Sequence, residues 1–406
     1  MKKTIKLVVV AALGATSAFA TNGATLIGMG AKSRGMAGTG IAMSHGAESA
    51  LTNPALITSV ESIEISFGGT LFMPDVENTQ TVYPTGTPPA YTATSSSDAD
   101  MNVIPEVSLA AKINDNFYVG VGMWGTGGMG VDYREATTGT QFQMVTNLQL
   151  MEFGVPLAYK VDGLSVALTP ILQYGSLDIN YNNSNNIGAG VAQDFAFGYN
   201  IGVAYEISGI TVGAVYKSRI DMDYKDQLVN AMAGFGVAYT NTELSSPAEI
   251  GVGASYTVDE HTVALDYKRI KWSDAKGYKD FKWDDQNVIT LGYEYKTKEW
   301  SARAGYNYAS SPIQNLAPGS LSAPAGSTFA GDYAGLLNTF NLLGFPGIVE
   351  SHYAVGGSYN ISKQVSVDLA FTYASEVTET FKNFAGLDIT TKHSQTGVSA
   401  QLTFDF

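Results

Sequence analysis

The sequence predicts an all-β protein: a transmembrane antiparallel β-barrel of about fourteen strands, preceded by an N-terminal segment that either hangs free or folds inside it as a plug. Three observations predict it. Between Phe195 and Ile207 every odd residue is apolar or aromatic (Phe195, Phe197, Tyr199, Ile201, Val203, Tyr205, Ile207), and every even one is small or polar. A strand has a side-chain period of two, so this run has one greasy face and one polar face at about the length a membrane strand needs. The pattern recurs along most of the chain. The stretch before the first such strand does not alternate and is rich in Gly and Ala. Outside the first twenty residues no apolar run approaches the length of a membrane helix.

Residues 1–20 read as a secretory leader. Lys2, Lys3 and Lys6 form the charged start, 7–15 is a short apolar run, and Ala18-Phe19-Ala20 is a small-x-small cleavage site that puts the mature start at Thr21. The 406-residue chain carries a net charge of −14, and loss of the three leader lysines makes it more acidic still. That balance argues against nucleic acid as a partner. With no Cys, stability must come from the sheet rather than from disulfides. The 44 Gly, 23 Tyr and 45% apolar residues, interleaved rather than blocked, fit a barrel better than a string of soluble domains.

The strands follow from the alternation. The first covers 62–73, with Ile63, Ile65, Phe67, Leu71 and Met73 outward. The second carries Val107, Leu109, Ala111 and Ile113, and a turn at Asn114-Asp115-Asn116 leads to the third. The fourth shows Met151, Phe153, Val155, Leu157, Tyr159 and Val161; Asp162-Gly163 turns into the fifth, with Leu164, Val166, Leu168, Leu172 and Tyr174. The sixth is 195–207, and Ser208-Gly209 turns into the seventh. The eighth to eleventh include Val252, Leu265, Leu291 and Ala304, and the twelfth and thirteenth include Val355 and Leu369. The last carries Val398, Ala400, Leu402, Phe404 and the terminal Phe406. Short turns alternate with long connections at 74–100, 126–146, 180–194, 225–246, 273–285, 310–350 and 376–392. The short ones are expected to be periplasmic and the long ones extracellular.

The inward faces carry Glu106, Lys112, Glu152, Lys160, Glu206, Glu249, Asp266, Lys268, Glu294, Arg303 and Asp368. A Lys or Arg facing lipid at mid-depth costs about 2–4 kcal/mol, so these belong to a solvated or ion-paired lumen. Residues 21–61 precede the barrel on the periplasmic side, where they either hang free or fold inside. Their small side chains permit close packing, and Asn53-Pro54-Ala55 makes a sharp turn. Trp124 and the glycines Gly125, Gly127, Gly128 and Gly130 interrupt the third strand. Glycine there marks a bulge or bend, or else a flexible outer turn.

The segment TNPALITSV, 52–60, resembles the Asn-Pro-Ala hatch motif of the FadL/TodX family of outer-membrane transporters for long-chain fatty acids and other hydrophobic compounds. It lies at that family's distance from the mature start and precedes a strand ending Pro74-Asp75-Val76. Tyr216-Lys217-Ser218-Arg219, Pro247-Ala248, Trp272-Ser273, Leu291-Gly292 and Ser311-Pro312-Ile313 also fall where members have similar residues. The resemblance covers essentially the mature chain and is weakest in the outer loops. It implies three domains: leader 1–20, hatch 21–61 and barrel 62–406. It also implies capture of an apolar molecule between outer loops, a luminal pocket, and release when the hatch shifts. It makes the third-strand glycines an inward kink that opens a side window toward the membrane.

The stretch 329–349 is too apolar for a water-exposed loop, which points to binding. Leu336, Leu337, Phe340, Leu342, Leu343 and Phe345 are the candidate substrate-binding residues, on a short helix capped by Asp332; a loop packed on itself or on the rim is the alternative. Phe235, Val237 and Tyr239 are candidates for the facing wall. A carboxylate substrate wants Arg or Lys. Arg34 in the hatch and Arg303 in the lumen are the candidate polar contacts, with structural ion pairing as the competing role, so a neutral hydrocarbon or aromatic substrate stays open. With four His, no Cys and no Gly-x-Ser-x-Gly motif, neither an enzyme nor a metal site nor a cofactor is expected. A general diffusion porin and a surface adhesin remain as rival readings. The expected setting is the outer membrane of a Gram-negative bacterium, as a monomer among outer-membrane lipids. Phe406 resembles the terminal signal read by barrel-assembly machinery.

Overall fold

The computed structural model describes residues 21–83, 89–136, 139–183 and 185–406. The leader assigned to 1–20 lies outside the described residues.

Fourteen strands form one closed antiparallel barrel. They are β1 (Ile63–Val82), β2 (Asn102–Lys112), β3 (Phe117–Asp132), β4 (Val145–Gly154 and Leu157–Val161), β5 (Leu164–Asn183), β6 (Ala192–Ile207), β7 (Ile210–Lys217), β8 (Glu249–Val258), β9 (His261–Ile270), β10 (Gln286–Lys296), β11 (Trp300–Ala309), β12 (Ser351–Asn360), β13 (Val365–Lys382) and β14 (Asp388–Asp405). Each pairs with its chain neighbours, and β14 closes on β1 from Ile389↔Gln80 to Asp405↔Glu64. Closure removes the free edges that an open sheet would expose. The alternation lands as its period requires. In β6, Phe197 is 83% exposed on the lipid side while Asn200 is 1% exposed on the luminal side. Ser208 and Gly209 both take positive φ, 49° and 79°, the mirror-image turn whose twist matches a two-residue hairpin.

The strands are longer than the alternation implied. The stretch 74–100 is not one long loop. β1 runs on to Val82 and pairs with a short strand, Tyr91–Ser96, and most of 376–392 is strand within β13 and β14. Above the membrane the outward face no longer needs apolar groups. Thr79–Thr94, Thr81–Thr92 and Thr380–Thr390 hydroxyl pairs replace them, while Val76, Val82, Phe381 and Ile389 stay buried inside. Likewise 126–132 belongs to β3 rather than to a loop. Pro156 breaks β4 in two, since it has no N–H to give the ladder.

Residues 21–60 are almost entirely buried, against inward-facing side chains from all round the barrel. After a two-residue hairpin, Thr21–Asn22 with Thr25–Leu26, come α1 (Gly30–Arg34), a 3-10 turn (Gly46–Glu48), α2 (Ser49–Thr52) and a second 3-10 turn (Pro54–Ser59). The lumen is thus filled at this level by chain rather than by solvent.

Candidate functional site

Three features of the barrel bear on function: an apolar cap made by the outer loops, the N-terminal segment, and the interrupted third strand.

In the cap, Asp332 accepts the Ala334 N–H at 3.2 Å and starts α4 (Tyr333–Thr339), which follows α3 (Gln227–Ala233) in the chain. α4 continues as a wider π-turn, Phe340–Gly344. This segment turns inward. Leu336, Leu337, Phe340, Leu342, Leu343 and Phe345 are between 0% and 7% exposed. Phe340 lies 5.6 Å from Phe235, edge-on, with Tyr181 stacked on Phe235 at 5.3 Å. Phe142 and Phe384 flank Phe235 at 5.8 and 5.7 Å. Of the candidate facing residues, Val237 is buried and Tyr239 packs on Phe281 at 6.3 Å. Below sits a second aromatic group, Trp272, Tyr278 and Trp283, with centroids 4.6 to 5.0 Å apart. A small void of about 10 Å³ lies between Leu228, Phe281, Trp283 and Phe345. Sequence reasoning missed Tyr181, Phe142, Phe281, Phe384 and the Trp pair. Their only signal was aromatic rings inside otherwise polar loops.

The cap reaches down to the N-terminal segment. The His393 Nδ1 lies 2.7 Å from the Pro346 carbonyl oxygen. The next residue, Gly347, packs so closely on Gly23 that an added Cβ would sit 3.2 Å from its Cα. Thr21 N–H donates to Gln395 Oε1 at 3.1 Å. Further anchors ring the wall. Gly40 and Ile41 N–H donate to Asp266 Oδ2 at 2.8 and 2.9 Å. Thr58 meets Ser165 at 2.8 Å, and Ala31 N–H donates to Gln401 at 3.1 Å. In the Asn-Pro-Ala motif, Asn53 accepts the Ala55 N–H at 3.1 Å and donates to Ile41 O at 2.6 Å and to Val203 O of β6 at 3.3 Å. Pro54 opens the following turn, where a missing N–H costs nothing.

Both candidate arginines are committed to carboxylates. Arg34 pairs with Glu106 through both nitrogens, Nη1 at 2.8 Å. Arg303 lies 2.7 Å from Glu294 and 3.8 Å from Asp368, on a polar vestibule of about 670 Å³ that also takes in Lys32, Glu64 and Phe406. Lys217–Glu152 and Lys268–Glu249 pair at 2.7 and 3.0 Å. Glu206, placed inward by its parity, is exposed at the barrel end.

The β2–β3 ladder runs from Lys112↔Tyr118 to Glu106↔Trp124 and stops there. Beyond that point β2 pairs with β1. β3 pairs with β4, its register shifting between Gly125 and Gly127 so that Thr126 bulges. From Trp124 to Val131 every residue is buried, so this half of the strand has left the lipid-facing surface. Gly128 N–H donates instead to Ala24 O at 3.0 Å, and Gly127 bridges to Thr25. The N-terminal segment therefore sits in the gap between β2 and β3.

A closed barrel with a filled lumen, an apolar cap and a break in one wall defines an outer-membrane transport protein rather than an open pore. Residues 7–327 match the family described as outer membrane protein transport protein (OMPP1/FadL/TodX), and the chain belongs to that family. It resides in the outer membrane of Gram-negative bacteria and serves transport, not catalysis. Among its relatives, the long-chain fatty acid transport protein of Escherichia coli is 24% identical over 64% of this chain and 71% of its own length. A 47 kDa outer membrane protein of Pasteurella multocida is 23% identical over 96% and 94%. Among solved structures, a Pseudomonas aeruginosa FadL homologue superposes with a TM-score of 0.68 at 16% identity, covering 95% of this chain and 100% of its own. The P. putida toluene transporter TodX gives 0.67 at 18%, covering 94% and 99%.

Proposed function

We propose that the protein takes up hydrophobic small molecules, long-chain fatty acids or hydrocarbons and aromatics, in three steps. The outer cap captures the molecule, the N-terminal segment acts as a hatch that must shift, and the molecule leaves sideways between β2 and β3. One observation carries this reading: a continuous line of contacts. It runs from Phe340 and Phe345 in the cap to Gly347 on Gly23, and on to Ala24 and Thr25 in the gap beside Gly127 and Gly128. An apolar molecule that displaces the cap residues pushes on the same few residues that fill the side gap. Capture and opening are then one event, with no energy source beyond binding. The names of the relatives support the substrate class: a long-chain fatty acid transport protein and a toluene transporter.

A general diffusion porin needs an open aqueous path, which a lumen packed with residues 21–60 does not offer. An adhesin reading leaves the buried anchors of that segment without a purpose. The test is uptake by cells expressing the protein. Leu337→Ala, Phe340→Ala and Phe345→Ala should lower entry of labelled oleate or toluene while the barrel still assembles. Unchanged uptake in all three removes the capture step.

A further inference from the structure

Behind the N-terminal segment the lumen holds a cavity of about 70 Å³ that the capture and exit steps leave unused. The 25–29 stretch forms one side, and the other is made by inward residues of β6 to β11 together with Thr126 of the β3 bulge. Four lining residues each leave a buried oxygen with no hydrogen-bond partner: Thr126 Oγ1, Asn200 Oδ1, Asp266 Oδ1 and Asn307 Oδ1. None of the four residues is more than 5% exposed. Three of them are held by their other polar atom. Asn200 Nδ2 donates to the Leu51 carbonyl, Asp266 Oδ2 accepts from Gly40 and Ile41, and Asn307 Nδ2 donates to Thr290 Oγ1 at 3.0 Å. What is left over on the cavity is three lone acceptors and the Thr126 hydroxyl, which can also donate, and buried acceptors without donors are costly.

The charges on the same wall are already matched, Lys217 by Glu152 and Lys268 by Glu249. A carboxylate arriving here would meet Asp266 and unpaired acceptors, with no free cation among these lining residues. A pure hydrocarbon would leave the acceptors unpaired. A hydroxyl group donates to one of these acceptors and accepts from the Thr126 hydroxyl. Leu26, Ile41, Leu51 and Val215 on the same cavity supply apolar contact beside it. We propose that this cavity is a binding site for the hydroxyl group of a neutral, otherwise apolar molecule, an alcohol or a phenol. The volume suits a head group rather than a whole ring, so the ring follows into space that the 25–29 stretch yields when it shifts. This rests on the transport reading above and narrows its substrate class.

Toluene, p-cresol and 4-methylbenzoate share a methyl-bearing ring and differ in carrying nothing, a hydroxyl or a carboxylate. Their binding to the purified full-length protein, measured by isothermal titration calorimetry, tests the site. p-Cresol should bind about tenfold more tightly than toluene, the weight of one or two hydrogen bonds, and 4-methylbenzoate most weakly. In Thr126→Val and in Asn307→Leu the cresol-to-toluene ratio should fall toward one. A ratio of one in the unaltered protein, a ratio unaffected in both variants, or a crystal structure at saturating p-cresol with only water in the cavity overturns the assignment. In those cases toluene binding leaves the transport reading standing. If only oleate, titrated alongside, binds, the site falls and the transport reading stands; if none of the four binds, both fail.

Discussion

Removing the Arg34 side chain should unseat the N-terminal segment more than removing any other single anchor. Arg34 and Glu106 are 2% and 5% exposed, and Glu106 Oε2 also accepts the Gly30 N–H at 3.0 Å. Arg34→Ala strands that carboxylate in a packed interior. Breaking a buried pair from one side costs about 3–5 kcal/mol, whereas a neutral anchor such as Thr58–Ser165 contributes about 1 kcal/mol. At about 1.4 kcal/mol per factor of ten, the displaced state gains on the order of a hundredfold or more. The assay is planar-bilayer conductance of the purified protein, with heat-modifiable gel mobility as the check that the barrel is intact. Arg34→Ala should show frequent current bursts absent from the parent. The double variant Arg34→Met, Glu106→Leu removes both charges and should return most of the quiet baseline. An intact barrel with Arg34→Ala currents equal to the parent's, or a double variant as leaky as the single one, would show that this ion pair does not hold the segment in place.

Other outcomes follow from the same geometry. Phe340→Ala and Leu337→Ala should each cost the cap about 2–5 kcal/mol of packing and lower hydrophobic uptake severalfold, with barrel yield unchanged on gels. A Cβ on Gly127 would lie 2.6 Å from the Ala24 carbonyl oxygen. Gly127→Ala should therefore detach Ala24 and Thr25 from β3, read as faster hydrogen exchange at Gly128. In the outer loops, burial pushes the Asp221 carboxyl up, but hydrogen bonds from Arg219, Ser245 and Lys276 outweigh it and hold it down to about 2. Its folded value lies below the unfolded one near 3.9. The stabilisation is therefore present above about pH 4 and is lost as pH falls toward 2. Tryptophan fluorescence from the Trp272–Trp283 pair should change over that window, and much less in Asp221→Asn.

Much of the fold was legible because lipid imposes one rule on every strand. Phe197 and Val252 face out and Asn200 and Glu249 face in for the same reason, and a period of two shows it. Where the membrane ends, the rule ends. Thr79, Thr81 and Thr380 look like loop residues, although their hydroxyls pair across strands. The site was legible in part. The apolar run through Leu336 and Phe345 stood out inside a loop, and Asp332 marked where its helix begins. Its surroundings did not, because nothing along the chain sets the distance between Phe340 and Tyr181 or Phe281, which come from other loops. The partners of Arg34 and Arg303 were hidden for a similar reason. Barrel register decides which carboxylate each one meets. The four unpaired oxygens around the inner cavity arise only when the N-terminal segment is laid against the wall.

A barrel that passes apolar molecules while staying closed to water-soluble ones must treat the two kinds of solute differently in the same cells. The measurement is paired entry of labelled toluene or oleate and of the hydrophilic, zwitterionic cephalosporin cephaloridine, read by periplasmic β-lactamase, into cells with and without the protein. Faster entry of at least one apolar tracer with unchanged cephaloridine entry is expected. Parallel gains for both kinds of solute, or no gain for either apolar tracer, would contradict that selectivity.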